Sequence, residues 1–178
     1  MGPVRFVFPR APVRPVSING GAPMRAWYDI RDADLARRED EAGLRQSMAL
    51  VQRLVEREVA RGMPARRIVL AGFSQGCAMV LHTGLRHSAP LAGIIALSGY
   101  LPLANTVGAE RNPANAATPI FMGHGTADPM VVLSRGEASR DALAGLGYKV
   151  QWHTYPMPHS VHPKEIADIG QFLRAVLG

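Results

Sequence analysis

At 178 residues the chain is the size of one ordinary domain, and with 47% hydrophobic and 19% charged residues it has the composition of a folded protein rather than a disordered or fibrous one. Its charge of +6 raises the question of a nucleic-acid partner. However, the basic residues, all but Lys149 and Lys164 arginine, are scattered and not interleaved with aromatics, which argues against one. No apolar run reaches the roughly 18 residues that a membrane span needs, and the proline-punctuated N-terminus does not read as a signal peptide. A single cysteine, Cys77, excludes an internal disulfide and a multi-thiolate zinc site, so the expectation is a soluble cytoplasmic protein without stable membrane insertion.

In chain order, Val4 to Phe8 reads as a short buried strand closed by Pro9, followed by a proline-fixed extended segment from Ala11 to Pro15. Asn19 to Pro23 reads as a loop. From Glu41 to Arg61 the apolar positions Leu44, Met48, Val51, Leu54, Val55 and Val59 recur at helical spacing until Gly62 and Pro64 end the pattern. A strand from Arg67 to Phe73 and a helix from Gln75 to His87 come next. Two fully apolar strands follow, Gly93 to Ser98 and Pro119 to Gly123, separated by a long loop or short irregular helices from Tyr100 to Thr118. Val131 to Leu146 is helical, Tyr148 to Tyr155 alternates as a strand, and Pro163 opens a last helix that runs to Leu177. Strands apolar on both faces that alternate with helices predict an α/β fold, one domain over residues 1–178, with a mostly parallel sheet covered on both sides. In such sheets reactive groups gather beyond the C-terminal ends of the strands.

Three residues sit there. Ser74 lies at the centre of Gly72-Phe-Ser-Gln-Gly76, between a strand and a helix. This is the context of a nucleophile elbow, whose small residues at both ends avoid neighbouring backbone and whose helix aims free N–H groups at the serine. The N–H of Gln75 is the candidate oxyanion donor. A serine hydroxyl needs a base oriented by a carboxylate. Of six histidines, His82 and His87 belong to the helix after Ser74, His153 lies inside a strand and His124 ends one. His159 and His162 share the loop after the last strand, and His159 is preferred because His162 directly precedes the helix-opening Pro163. For the carboxylate, Asp128 leaves the strand Pro119–Gly123 at the same sheet edge, although a turn aspartate reads the same way locally. The chain order Ser74, Asp128, His159 is that of α/β-hydrolases. A metal-dependent hydrolase built on His124, Asp128, His159 and His162 is a weaker alternative on residue types alone.

The segments RFVFPRAPVRPVSINGGAPMRAWYDI (5–30), RIVLAGFSQGCAMVLH (67–82), LAGIIALSGYLP (91–102), PIFMGHGTADPMV (119–131) and YPMPHSVHPKEIADIGQFL (155–173) resemble the carboxylesterase/phospholipase family that includes the acyl-protein thioesterases. The resemblance implies an α/β-hydrolase that cleaves small-molecule acyl esters or thioesters, with Ser74, Asp128 and His159 as its triad and neither metal nor organic cofactor. It also places Trp27 near the acyl pocket, where the bland reading is a buried loop anchor. Cys77 stands where the family usually has glycine, and a small buried residue is the simplest account of it.

The family's first strand and His-Gly-x-Gly loop, the source of a second oxyanion donor, have no counterpart before Pro3, and the one His-Gly, His124-Gly125, belongs to the aspartate loop. Either the sequence begins at an internal methionine of a longer protein or the fold is a natural variant shortened at its N-terminus; as written, the expectation is turnover lowered on the order of 10²–10³ for want of that donor. The fold would have a gap of about two ~4.8 Å strand spacings beside the nucleophile strand, closed by collapse of the sheet or by a second copy in a homodimer. The alternative function is an impaired hydrolase-fold module used for binding or dimerisation.

Overall fold

A computed structural model describes residues 2–32 and 38–178. Arg37, one half of an adjacent arginine pair, lies outside them. A small antiparallel hairpin, β1 (Val13–Val16) and β2 (Ala22–Arg25), precedes the main domain. Its tight turn uses Gly20 and Gly21 at φ 66° and 78°, a region glycine enters without a Cβ clash. There follow α1 (Glu41–Ala60), β3 (Val69–Phe73), α2 (Gln75–Gly84), β4 (Gly93–Leu97), α3 (Ala104–Glu110), β5 (Ile120–Gly125), α4 (Leu133–Gly145), β6 (Val150–Tyr155) and α5 (Pro163–Leu177).

Four strands form a parallel sheet in the order β3-β4-β5-β6, each beside its predecessor. Right-handed crossovers that always step the same way leave their helices on one face. Accordingly, Leu81 of α2, Val107 of α3 and Leu143 of α4 pack into one cluster with Ile94, Ala96, Ile120 and Met122. The alternate residues Ile95 and Phe121 face the other way, onto Phe172, Ile169 and Leu173 of α5. Burying both faces of β4 and β5 is what their unbroken apolar runs require. Helix α1, capped by the Asp40 side chain at Gly43 N–H, packs on α2 through Leu44, Ala78 and Met79.

One expected element is absent. Residues 4–8 are not a buried strand: they belong to no helix or strand and are exposed, with Phe6 at 67% and Phe8 at 86% of their full accessibility. None of the backbone hydrogen bonds among the described residues involves residues 2–9. The β propensity of Val-Arg-Phe-Val-Phe has no pairing partner here, and unpaired extended chain is not a strand. Between this segment and β3 lies a cavity of about 620 Å³, so the gap expected beside the nucleophile strand is open.

Candidate active site

Ser74 stands at the end of β3 with φ 55° and ψ −118°, a strained conformation for a residue with a side chain and the one that turns strand sharply into helix. The turn is held on its inner side. A Cβ on Gly72 would run into the Gly76 carbonyl and sit 2.8 Å from Cys77 N, and one on Gly99 would meet Cys77 Sγ at 2.6 Å. Gly76 departs from the expectation of crowding at both glycines: nothing lies within 4 Å of its added Cβ, because it faces the cavity. Cys77 is fully buried, and burial pushes its thiol up, which suits a packing residue and not a reactive one.

His159, in the loop after β6, accepts at Nε2 from the Ser74 hydroxyl at 2.9 Å and donates from Nδ1 to Asp128 Oδ2 at 2.7 Å. A carboxylate at Nδ1 holds the imidazole proton there and leaves Nε2 as acceptor. The ring also packs on Phe73, 4.7 Å between centroids.

Asp128 answers both readings offered for it. While Oδ2 engages His159, Oδ1 accepts from the backbone N–H of Met130 at 2.8 Å and Val131 at 2.9 Å. Burial works to raise its pKa, but the hydrogen bonds from His159, Val131 and Met130 outweigh burial and hold the carboxyl below its ordinary value.

The aspartate and histidine loops are tied to each other. Thr126 N–H donates to Tyr155 O at 2.9 Å and Ala127 N–H to Met157 O at 3.2 Å, while Gly125 leaves no room for a Cβ against the Met157 and Pro158 carbonyls.

The Gln75 N–H, at the first position of α2, has no intrahelical acceptor and is free to donate. Its side chain has a task the sequence did not reveal, bracing the loop of Trp27: Oε1 accepts from Trp27 N–H at 2.7 Å and Nε2 donates to Tyr28 O at 2.8 Å. Ser47 donates to the Trp27 carbonyl from α1. Trp27 is half-buried, packs with the α1–α2 cluster and borders the upper end of the cavity near Gly76, so it is at once a loop anchor and a wall residue.

Among the remaining histidines, His124 is buried and hydrogen-bonds Val131 O at 2.8 Å, bracing the aspartate loop. His162 caps α5 by accepting from Lys164 N–H, and its ring stacks on Tyr155. His124 Nε2 lies 3.8 Å from Asp128 Oδ2, but His162 is drawn away to α5, and no group of three or more side chains among the described residues is arranged to hold a metal ion.

The sequence profile of the phospholipase/carboxylesterase family matches residues 1–177. The chain belongs to that family. Membership makes it an α/β-hydrolase of the carboxylic-ester-cleaving type. Relatives named acyl-protein thioesterase 1 are 42% identical over 96% of this chain and 77% of the protein from Yarrowia lipolytica, and 47% identical over 96% of this chain and 73% of the protein from Neurospora crassa. Arabidopsis thaliana SOBER1 superposes with a TM-score of 0.92 at 30% identity, covering 97% of this chain and 83% of its own. Zea mays acyl-protein thioesterase 2 superposes at 0.85 and 32% identity, covering 96% and 80%. No helix among the described residues is long and apolar enough to cross a membrane.

Proposed function

We propose that this family member cleaves acyl esters and thioesters by a two-step acyl transfer centred on Ser74. As the Ser74 oxygen attacks the substrate carbonyl, its proton passes to His159 Nε2, and the oxyanion is held by the Gln75 N–H. The imidazolium, oriented and stabilised by Asp128, then protonates the leaving alcohol or thiol as the carbon–oxygen or carbon–sulfur bond breaks. Water, deprotonated by His159, attacks the acyl-serine and releases the carboxylic acid. Trp27 borders the acyl side of this site. The observation that carries the reading is the unbroken hydrogen-bond chain from hydroxyl to imidazole to carboxylate, 2.9 and 2.7 Å. The thioester branch is supported by the names of the relatives, and a cytoplasmic location by the single, buried thiol.

A fluorophosphonate should label the folded protein covalently, and Ser74→Ala should abolish the label. A folded chain that takes no label would overturn the proposal. That result would favour the second reading, a hydrolase-fold module that binds or dimerises through its open sheet edge, a reading supported by the cavity beside β3.

A further inference from the structure

Glu165 is a buried acid that takes no part in the acyl transfer. It stands in the first turn of α5, fully buried, and among the described residues its Oε1 has no hydrogen-bond partner. Oε2 accepts from His162 N–H at 3.4 Å, which completes a capping box with the His162 ring. A capping carboxylate does that work equally well at a wet helix end. The cap therefore does not account for taking the group out of water, a costly step that pushes its carboxyl up against the opposing effect of the His162 N–H. The seat is built into β5. Every second residue of that strand faces α5, and the row runs Phe121, Gly123, Gly125. A Cβ on Gly123 would run into Glu165 Oε1, and one on Gly125 into the Met157 and Pro158 carbonyls. The two glycines make a trough on the strand that leads to Asp128. Met157 and Pro158 lie over Gly125, His162 is tied through Glu165 to Gly123, and His159 comes between them in the chain.

We propose that Glu165 is a positioning residue for the reaction: seated over Gly123 and bonded to His162 N–H, it fixes the downstream end of the histidine loop and so holds His159 Nε2 at 2.9 Å from the Ser74 hydroxyl. The upstream end is fixed already, by Thr126 N–H to Tyr155 O at 2.9 Å and Ala127 N–H to Met157 O at 3.2 Å. Past Pro158 the bond from Ser160 N–H to Pro158 O, 2.8 Å, closes a turn within the loop and ties it to no strand. Glu165 supplies that missing tie, and it does so from the same strand that delivers the carboxylate to His159 Nδ1. Both partners of the imidazole are thereby referred to β5. The stakes are high, because misplacing a reacting group by about 1 Å costs on the order of 10²-fold in rate. The inference rests on the acyl-transfer reading of Ser74 and His159.

The test measures hydrolysis of a p-nitrophenyl ester by the full chain and its variants, with fluorophosphonate labelling and thermal unfolding of each. Glu165→Gln keeps an oxygen for His162 N–H in nearly the same volume and should stay within about threefold of the parent in kcat. Glu165→Ala should lower kcat about 10- to 100-fold and leave KM within about twofold, since the acyl side of the site is untouched. Its unfolding midpoint should fall as well, because a hole opens over Gly123. The double variant Gly123→Ala/Glu165→Ala puts a methyl group into that hole. It should regain much of the lost midpoint while kcat stays at the level of Glu165→Ala, which separates positioning from packing. Recovery of kcat together with the midpoint in the double variant would overturn the proposal. So would a loss confined to KM, or a Glu165→Gln as slow as Glu165→Ala. A folded parent that is neither labelled nor active overturns the acyl-transfer reading and this inference with it, whereas a labelled parent matched in kcat by Glu165→Ala overturns this inference alone.

Discussion

Asp128→Asn separates the two tasks of this side chain. The asparagine Oδ1 can still accept from Met130 and Val131 N–H, so the loop keeps its turn. The amide nitrogen, however, now faces His159 Nδ1 where a carboxylate oxygen accepted at 2.7 Å. Two donors cannot meet there, so the imidazole takes the other tautomer and Nε2–H points at the Ser74 oxygen 2.9 Å away, unable to receive its proton. Loss of the correct tautomer in a serine triad lowers kcat about 10⁴-fold. At about 1.36 kcal/mol per decade this is roughly 5.4 kcal/mol of transition-state stabilisation, while the midpoint of thermal unfolding should barely move. Asp128→Ala should lose comparable activity and also fold less stably, because the buried Val131 N–H loses its acceptor at about 1–3 kcal/mol and the partly buried Met130 N–H loses its own at less. Turnover of a p-nitrophenyl ester and calorimetry on both variants make the comparison. If Asp128→Asn stays within tenfold of the parent, the relay does not carry the chemistry.

The two glycines flanking Ser74 should behave oppositely. Gly72→Ala forces a Cβ onto the Gly76 carbonyl and Cys77 N and should cost about 1–3 kcal/mol, whereas Gly76→Ala has free space and should be neutral or gain up to about 1 kcal/mol from helix propensity, both read from urea midpoints. Glu110 is held down to about 2, first by the hydrogen bond from Arg45 and then, against burial, by those from Arg86 and Thr106. Since its folded value lies below the unfolded one, its stabilisation is present above pH of about 4.5 and is lost as pH falls towards 2. Thermal midpoints should therefore drop less steeply over that window in Glu110→Gln than in the parent.

The strands and helices that bury a regular face were legible because periodicity reports burial. The Pro163–Leu177 helix has the bounds its sequence predicts, and β4 lies within Gly93–Ser98. The members of the candidate site were legible as loop residues at one sheet edge, each following a recognisable strand. Failures fall where pairing, not pattern, decides. Val4–Phe8 has the residues of a strand but no neighbour, and Val13–Val16 with Ala22–Arg25, obscured by Pro15 and Pro23, pair because the Gly20-Gly21 turn brings them together. From the sequence alone that turn signal reads only as a loop. The Gln75 side chain contacting Trp27 and Tyr28, and His124 reaching Val131, act across 47 or 48 and 7 residues, and no local spacing encodes them.

The candidate site is thus held unevenly. Asp128 and His159 are fixed to each other through backbone, by the bonds from Thr126 and Ala127 to the strand and loop around Tyr155 and Met157. The aspartate loop leaves β5, which is paired on both sides and buried throughout its length, whereas the histidine loop leaves the edge strand β6 and is tied back to the aspartate loop. Ser74 ends β3, which among the described residues is, like β6, paired on one side, and which is nowhere fully buried. Opening β3 exposes less apolar surface and breaks one ladder where opening β5 breaks two, so local opening should be easier at the strand that carries the nucleophile than at the one that leads to Asp128. Native-state hydrogen exchange tests this with amides bonded within the sheet in both cases. Leu70 and Gly72 of β3 should exchange at least about tenfold faster than the interior amides of β5, a difference of about 1.4 kcal/mol in opening free energy. Equal protection would mean that the edge of β3 is covered in solution and that Ser74 is as firmly placed as its two partners.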